Sequence, residues 1–172
     1  MRALHTSRLS YGPLSSLQAR RRLRVLGAAA AVLLGGCAAP PPKPVVTPVE
    51  VTLSAAANAN PDAQGRASPL TVRLYVLKSP GAFNGADFFS LYDKDTATLG
   101  AELVQREDML LRPGESRKLS LTLAPEAKAI GVLAAYRDLE HARWRALQPL
   151  DVGKPMDLTV RLEARQIRLE AK

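Results

Sequence analysis

The side chains able to do chemistry are few and scattered. The chain has two histidines, His5 near its start and His141. His141 has no second histidine and no neighbouring cysteine with which to complete a zinc site, and it reads as a surface residue near a strand end. Ser79 and Ser90 carry nucleophilic oxygens, but neither is framed by the glycines of a nucleophile elbow. Nothing in the sequence assembles them with His141 into a Ser-His-Asp set. Asp93 and Asp95 stand two apart, as calcium ligands do, yet the glycine and bidentate glutamate expected downstream are missing. A surface turn is the better reading. Asp87, Asp138 and Glu140 suit helix caps or ion pairs, and no glycine-rich phosphate loop is present. The chain is therefore expected to be no enzyme and to hold no metal or cofactor.

One cluster has recognition chemistry. Arg137, Arg143, Trp144 and Arg145 set cations around an aromatic ring, a combination that binds nucleic acid or anionic surfaces and anchors protein interfaces. The plainer reading has Trp144 packed at a sheet edge, with some of the arginines paired to Asp138 or Glu140.

Cys37 is the only cysteine of the 172 residues, so no internal disulfide is available. It is instead placed for modification. Arg20, Arg21, Arg22 and Arg24 precede the ten-residue apolar run Val25 to Leu34, and Leu34-Gly35-Gly36-Cys37 follows at once. The run is too short to cross a bilayer, which needs about 20 apolar residues, but it suits the apolar core of a cleavable export signal. Two glycines let the chain lie extended in a peptidase, and the thiol of Cys37 can accept a diacylglycerol while its freed amine accepts a further acyl chain. The pattern resembles the bacterial lipobox. Ala38 follows where an aspartate would favour inner-membrane retention, so the outer membrane, at its periplasmic face, is the expected location. Arg20-Arg21-Arg22-Leu23 also loosely resembles a twin-arginine signal; a general secretory signal is the simpler reading.

The net charge of +8 belongs to this leader. Residues 1–36 contain six arginines and no acid, so 18 of the 24 basic residues face 16 acidic ones in the rest, a balance of +2. A nucleic-acid-binding reading loses its main support.

The elements that position these residues follow in order. Residues 1–36 are expected to be a cleaved signal, and residues 37–48, with Pro40, Pro41, Pro42, Pro44 and Pro48, an extended tether behind an acylated cysteine. Residues 49–172 are expected to form one domain, large enough for its own core. Within it, apolar residues alternate at Val49-Val51-Leu53, Leu70-Val72-Leu74-Val76, Leu119-Leu121-Leu123, Ile130-Val132-Ala134-Tyr136, Leu158-Val160-Leu162 and Ile167-Leu169. Period two marks half-buried strands. The breaks carry turn residues, as in Asn60-Pro61-Asp62 and Pro113-Gly114-Glu115. About seven or eight such strands predict a mainly β, two-sheet sandwich. Ala82 to Tyr92 breaks the period, and its Phe88, Leu91 and Tyr92 spacing predicts a short helix over a sheet face. Ala97 to Arg106 and a single turn at Asp138 to His141 are weaker helical candidates.

Several strings then fall into a familiar order: Asn60-Pro61-Asp62, Gly65-Arg66, Val72-Arg73-Leu74-Tyr75, Ala86-Asp87-Phe88-Phe89-Ser90-Leu91-Tyr92, Pro113-Gly114-Glu115, Ala135-Tyr136-Arg137-Asp138-Leu139 and Trp144-Arg145. Behind a lipobox, this set resembles the TssJ (SciN, VasD) lipoproteins of type VI secretion, from about residue 50 to the end. The resemblance implies a transthyretin-like β-sandwich with a short added helix, acylated and held in the outer membrane. It implies a structural, non-enzymatic part in a trans-envelope complex, binding the periplasmic C-terminal region of TssM, which works with TssL. The family contact implied is the loop between the first two strands, here about Ala57 to Pro69, and Asn60, Asp62, Gln64 and Arg66 are its candidate exposed contacts. Two alternatives remain beside it. One is a general outer-membrane lipoprotein with an envelope-maintenance or small-ligand-binding role. The other is a hydrolase on the same fold, which needs several histidines where the domain has only His141.

Overall fold

The computed structural model describes residues 44–172; Cys37 and most of the expected signal and tether lie outside the described residues. Two four-stranded sheets pack face to face, with strand orders β4-β1-β7-β8 and β3-β2-β5-β6. The sequence order is β1 Thr47–Ala55, β2 Leu70–Leu77, β3 Leu103–Leu111, β4 Ser116–Leu123, β5 Ala129–Ala134, β6 Arg145–Pro149, β7 Met156–Leu162 and β8 Ile167–Ala171. The expected mainly β sandwich is thus present, with eight strands.

β1 shows why alternation makes the core. Thr47, Val49, Val51, Leu53 and Ala55 are buried, while Pro48 and Glu50 face solvent. The strand starts two residues before Val49, because Thr47 and Pro48 already pair with Leu123 and Thr122. It runs antiparallel to β4 and parallel to β7 along nearly its whole length. Inward residues of both sheets, among them Leu53, Leu74, Val132 and Val160, form the main core. Such interdigitation is what holds two aligned sheets together.

The second sheet is covered on its outer face too. β5 is buried at all six positions, the continuous apolar run of a strand covered on both sides. Three short helices lie over it: α1 Gly81–Gly85, α2 Phe88–Asp93 and α3 Asp95–Leu99. Phe83, Phe88, Leu91 and Leu99 pack there on Tyr75, Leu77, Ala129 and Leu133. Phe83 comes so close to β5 that a Cβ on Gly131 would sit 2.9 Å from its ring. Asp87 caps α2, accepting the Ser90 N–H at 3.0 Å and the Ser90 hydroxyl at 2.6 Å.

The same layer is tied down by charge. Asp95 is 5% exposed, accepts from Arg106 at 2.7 Å and lies 3.8 Å from Arg73. Arg73 Nε sits 2.6 Å from Asp108, a charge contact without the alignment of a hydrogen bond, and its guanidinium lies over the Tyr92 ring at 4.6 Å. Burial opposes ionisation of Asp95, but the hydrogen bonds from Arg106 and Thr96 and the charges of Arg106 and Arg73 outweigh it, holding the carboxyl below its ordinary range. Of the Asp93-Asp95 pair, Asp95 therefore serves an ion-pair network at this layer, while Asp93 faces solvent.

One sequence expectation is corrected and another narrowed. The helix from Ala97 to Arg106 ends at Leu99, since Gly100 has φ +51° and Leu103 already belongs to β3. Asp138 to His141 holds a single hydrogen-bonded turn, as expected there, closed by Ala142 N–H on Leu139 O at 3.4 Å, but no helix.

Candidate docking surface at the loop end

The chain enters the sandwich at Thr47, and β1 carries it the length of the fold, about 30 Å for nine residues. The far end gathers the loop at 56–69, the β3–β4 turn and the segments at 135–143 and 163–166. Gly114 N–H donates to Ala55 O, Asn60 N–H to Ala164 O and Arg143 N–H to Arg165 O. The edges of β6 and β8 meet here through a bridge between Arg143 and Gln166.

Inside the first loop, Asp62 is the hub. Its carboxylate accepts the N–H groups of Gln64 (3.0 Å) and Arg66 (2.9 Å), and the Arg66 guanidinium at 2.8 Å. The Arg66 N–H is the main reason its carboxyl titrates below the ordinary value. The backbone closes the same turn, with Asp62 N–H on Arg66 O and Gly65 N–H on Asp62 O. Gln64 and Arg66 face solvent.

Asn60 does otherwise than expected. The sequence puts it among the exposed contacts, but it is 3% exposed. Its φ is +51°, a region Asn tolerates better than most residues. Its amide donates to Pro69 O and its carbonyl accepts from Arg137 N–H, each at 2.8 Å. Asn60 shapes the loop from within and fastens it to the segment after β5.

That segment adds residues the sequence reading had not joined to the loop. Asp138 accepts from His141 Nδ1 at 2.7 Å and from Arg165 Nε at 2.8 Å. The expected pairing with Arg137, Arg143 or Arg145 is not what forms. His141 holds the Asp138 carboxyl below its usual range, and Asp138 raises His141 in return. Tyr136 is buried, donates its hydroxyl to Gln166 O at 2.7 Å, and burial pushes its phenol upward. The only foreshadowing in sequence was the turn chemistry of residues 60–66 and the basic cluster near Trp144.

Trp144 itself lies just before β6, edge-on to Phe88 with centroids 5.3 Å apart. Arg145 stacks on it at 4.9 Å and donates to Phe83 O and Ala86 O, so that part of the cluster fastens α1 to the sheet edge. Ser79 and Ser90 belong to the helical layer: Ser79 Oγ accepts Gly81 N–H, and Ser90 belongs to the Asp87 cap. Among the described residues no group of three His, Cys, Asp or Glu side chains converges to hold a metal.

Fold and site together define a small β-sandwich domain that presents a braced polar loop at the end opposite to where its chain enters. The chain belongs to the family described as "Type VI secretion lipoprotein, VasD, EvfM, TssJ, VC_A0113", whose model matches residues 47–165. It is similar to the T6SS lipoprotein TssJ1 from Pseudomonas aeruginosa, at 42% identity and a TM-score of 0.72 over 76% of this chain and 98% of that one. It is also similar to Serratia marcescens Lip, a membrane bound component of the Type VI Secretion System, at 25% identity and a TM-score of 0.66 over 72% and 96%. A chain in a structure described as the T6SS protein TssM C-terminal domain from EAEC shares the fold, at 23% identity and a TM-score of 0.62 over 72% and 97%. No curated protein matches the chain.

Proposed function

We propose that this type VI secretion lipoprotein is held in the outer membrane by acyl chains on Cys37, with its sandwich in the periplasm, and that its loop end binds the periplasmic C-terminal domain of TssM. Through TssM, and indirectly TssL, it couples the two membranes. The carrying observation is the polarity of the domain: the chain enters at Thr47, and the braced loop of Asp62, Gln64 and Arg66 lies at the far end. The occurrence of a chain of this fold in a structure described as the TssM C-terminal domain supports the reading.

The chemistry is mechanical. Each acyl methylene buried in the bilayer contributes about 0.8 kcal/mol, so several chains resist extraction. Load entering at Thr47 travels along β1, which is hydrogen-bonded on both sides to β4 and β7. At the far end the loop is stiffened by Asp62 and Asn60, so docking it orders little new structure.

The test is a titration of the full chain, solubilised in mild detergent, with the purified TssM C-terminal domain. A variant carrying Asp62→Ala, Gln64→Ala and Arg66→Ala is titrated alongside. Binding that the variant loses supports the reading; binding it keeps moves the contact off this loop; no binding by the parent chain ends the TssM reading.

A further inference from the structure

Two hollows flank Arg165 at the loop end. One, of about 410 Å³, is lined by Pro61, Asp62, Arg137, Asp138 and Arg165. The other, of about 300 Å³, is lined by His141, Arg143, Glu163 and Arg165. Their charges are not evenly engaged. Asp62 is held by Arg66 at 2.8 Å, Asp138 by Arg165 at 2.8 Å and His141 at 2.7 Å, and Glu163 by Arg168 at 2.9 Å. Arg137 and Arg143 are exposed, and among the described residues neither has a carboxylate at ion-pair distance. Every acid lining the hollows has a cation, and one cation in each hollow has no acid.

A guanidinium stays charged at any physiological pH and offers a planar fork that matches a carboxylate. The Arg137 backbone is fixed by Asn60 and the Arg143 backbone by Arg165 and Ile167, so both side chains start from held positions. We infer that the two hollows seat an acidic, extended segment of the partner, with spaced Asp or Glu side chains on Arg137 and Arg143. Two cations in hollows separated by Arg165 call for two anionic groups held apart, which a peptide offers and a single phosphate does not. This rests on the docking reading above and names the chemistry of the partner's half: a carboxylate-rich strip lying beside the first loop.

The experiment uses the full chain in mild detergent, titrated with the TssM C-terminal domain and, separately, with a short polyglutamate peptide, at low and raised salt. The variants are Arg137→Glu/Arg143→Glu, the milder Arg137→Gln/Arg143→Gln, and Lys128→Glu/Lys154→Glu, which makes the same charge change at the opposite end. Matching thermal midpoints confirm that each variant folds. The expected result is TssM binding that weakens with salt, falls about tenfold or more on charge reversal, falls less on neutralisation and is untouched by the lysine variant. TssM binding that ignores both salt and the arginine variants overturns this inference and leaves the docking reading standing. Polyglutamate bound through Arg137 and Arg143 without TssM binding upholds the acidic-segment site and overturns TssM as the partner. Binding of neither overturns both.

Discussion

The side-chain carbonyl of Asn60 accepts the backbone N–H of Arg137 at 2.8 Å, joining the loop after β1 to the segment after β5 across 77 residues of sequence. The other end of the same amide holds Pro69 O. Replacing Asn60 by Ala strips two part-buried backbone groups of their partner and leaves Ala at φ +51°, together a cost of about 1–3 kcal/mol. Urea unfolding of Asn60→Ala is expected to show a loss in that range. Hydrogen exchange should speed at Arg137 and Ser68 while the amides of β5 stay protected. Unchanged stability would show that water replaces Asn60 without cost.

Gly131 makes room for Phe83. A Cβ there would lie 2.9–3.1 Å from three atoms of the Phe83 ring, and the ring is fully buried between α1 and the sheet. Gly131→Ala should destabilise by about 1–3 kcal/mol, as overpacking does. Phe83→Leu in the same chain should return part of the loss, so the two changes will not add. Thermal unfolding of both single variants and the double variant measures this directly.

What the sequence made legible follows from periodicity. β1, β4, β7 and β8 were readable because each buries one face, so apolar and polar residues alternate, and β2 and β5 because their apolar runs lie under the helical layer as well as in the core. The aromatic run near Phe88 was readable as helical for the same reason, although Gly85 and Asp87 divide it into two short helices. β3 and β6 were missed. Both are sheet edges, and β3 carries Gln105, Arg106, Glu107 and Asp108 in succession, one amide and three charges that blunt an exposed edge and hide its period. In the candidate site, Asp62 and Arg66 were named from turn chemistry, but Asn60 was read as exposed because burial of a loop asparagine depends on Arg137 and Pro69, contacts no local pattern reveals. The pairing of Asp138 with Arg165 was hidden in the same way.

The loop end should respond to pH in two windows. Asp62 titrates below its ordinary value of 3.8, chiefly through the Arg66 N–H. A depressed carboxyl contributes stability that is present above that value and lost as pH falls through the lower folded one. His141 is raised above 6.5 by Asp138, with Glu140 adding and Arg165 opposing. Its contribution is full below 6.5 and lost as pH rises through the folded value. NMR titration should place the His141 midpoint above 6.5, and Asp138→Asn should bring it down. Amide exchange at Gln64 and Arg66 should quicken below pH 3.8 before the sandwich itself opens.

Asp95 secures the helical layer. Removing it leaves Arg73, whose side chain is 17% exposed, with one carboxylate fewer, and leaves Arg106 without its closest one. Asp95→Ala is expected to cost about 1–3 kcal/mol, the loss of charge-assisted hydrogen bonds, since Arg73 and Arg106 both keep Asp108. Exchange should rise at Ser90 to Leu99 first, and β1 should stay protected. A uniform loss across both sheets would mean that the layer and sandwich unfold as one unit.

The last expectation concerns force. β1 runs from Thr47 to Ala55 with β4 antiparallel on one side and β7 parallel on the other. A pull applied between residue 44 and Gln64 lies along the strand, perpendicular to its ladder hydrogen bonds, so both ladders are loaded at once and must yield together. A pull between residue 44 and Lys172 acts differently. β8 is an edge strand running back antiparallel to β7, with Ala171 beside Leu158. Its bonds can then open one after another from the end. Forced unfolding is governed by the unfolding rate rather than by equilibrium stability, so one protein should give two different forces. Single-molecule pulling is expected to show a clearly higher unfolding force for the 44–64 pair than for the 44–172 pair. Equal forces would remove β1 as the load-carrying strand and, with it, the mechanical part of the proposed coupling between membranes.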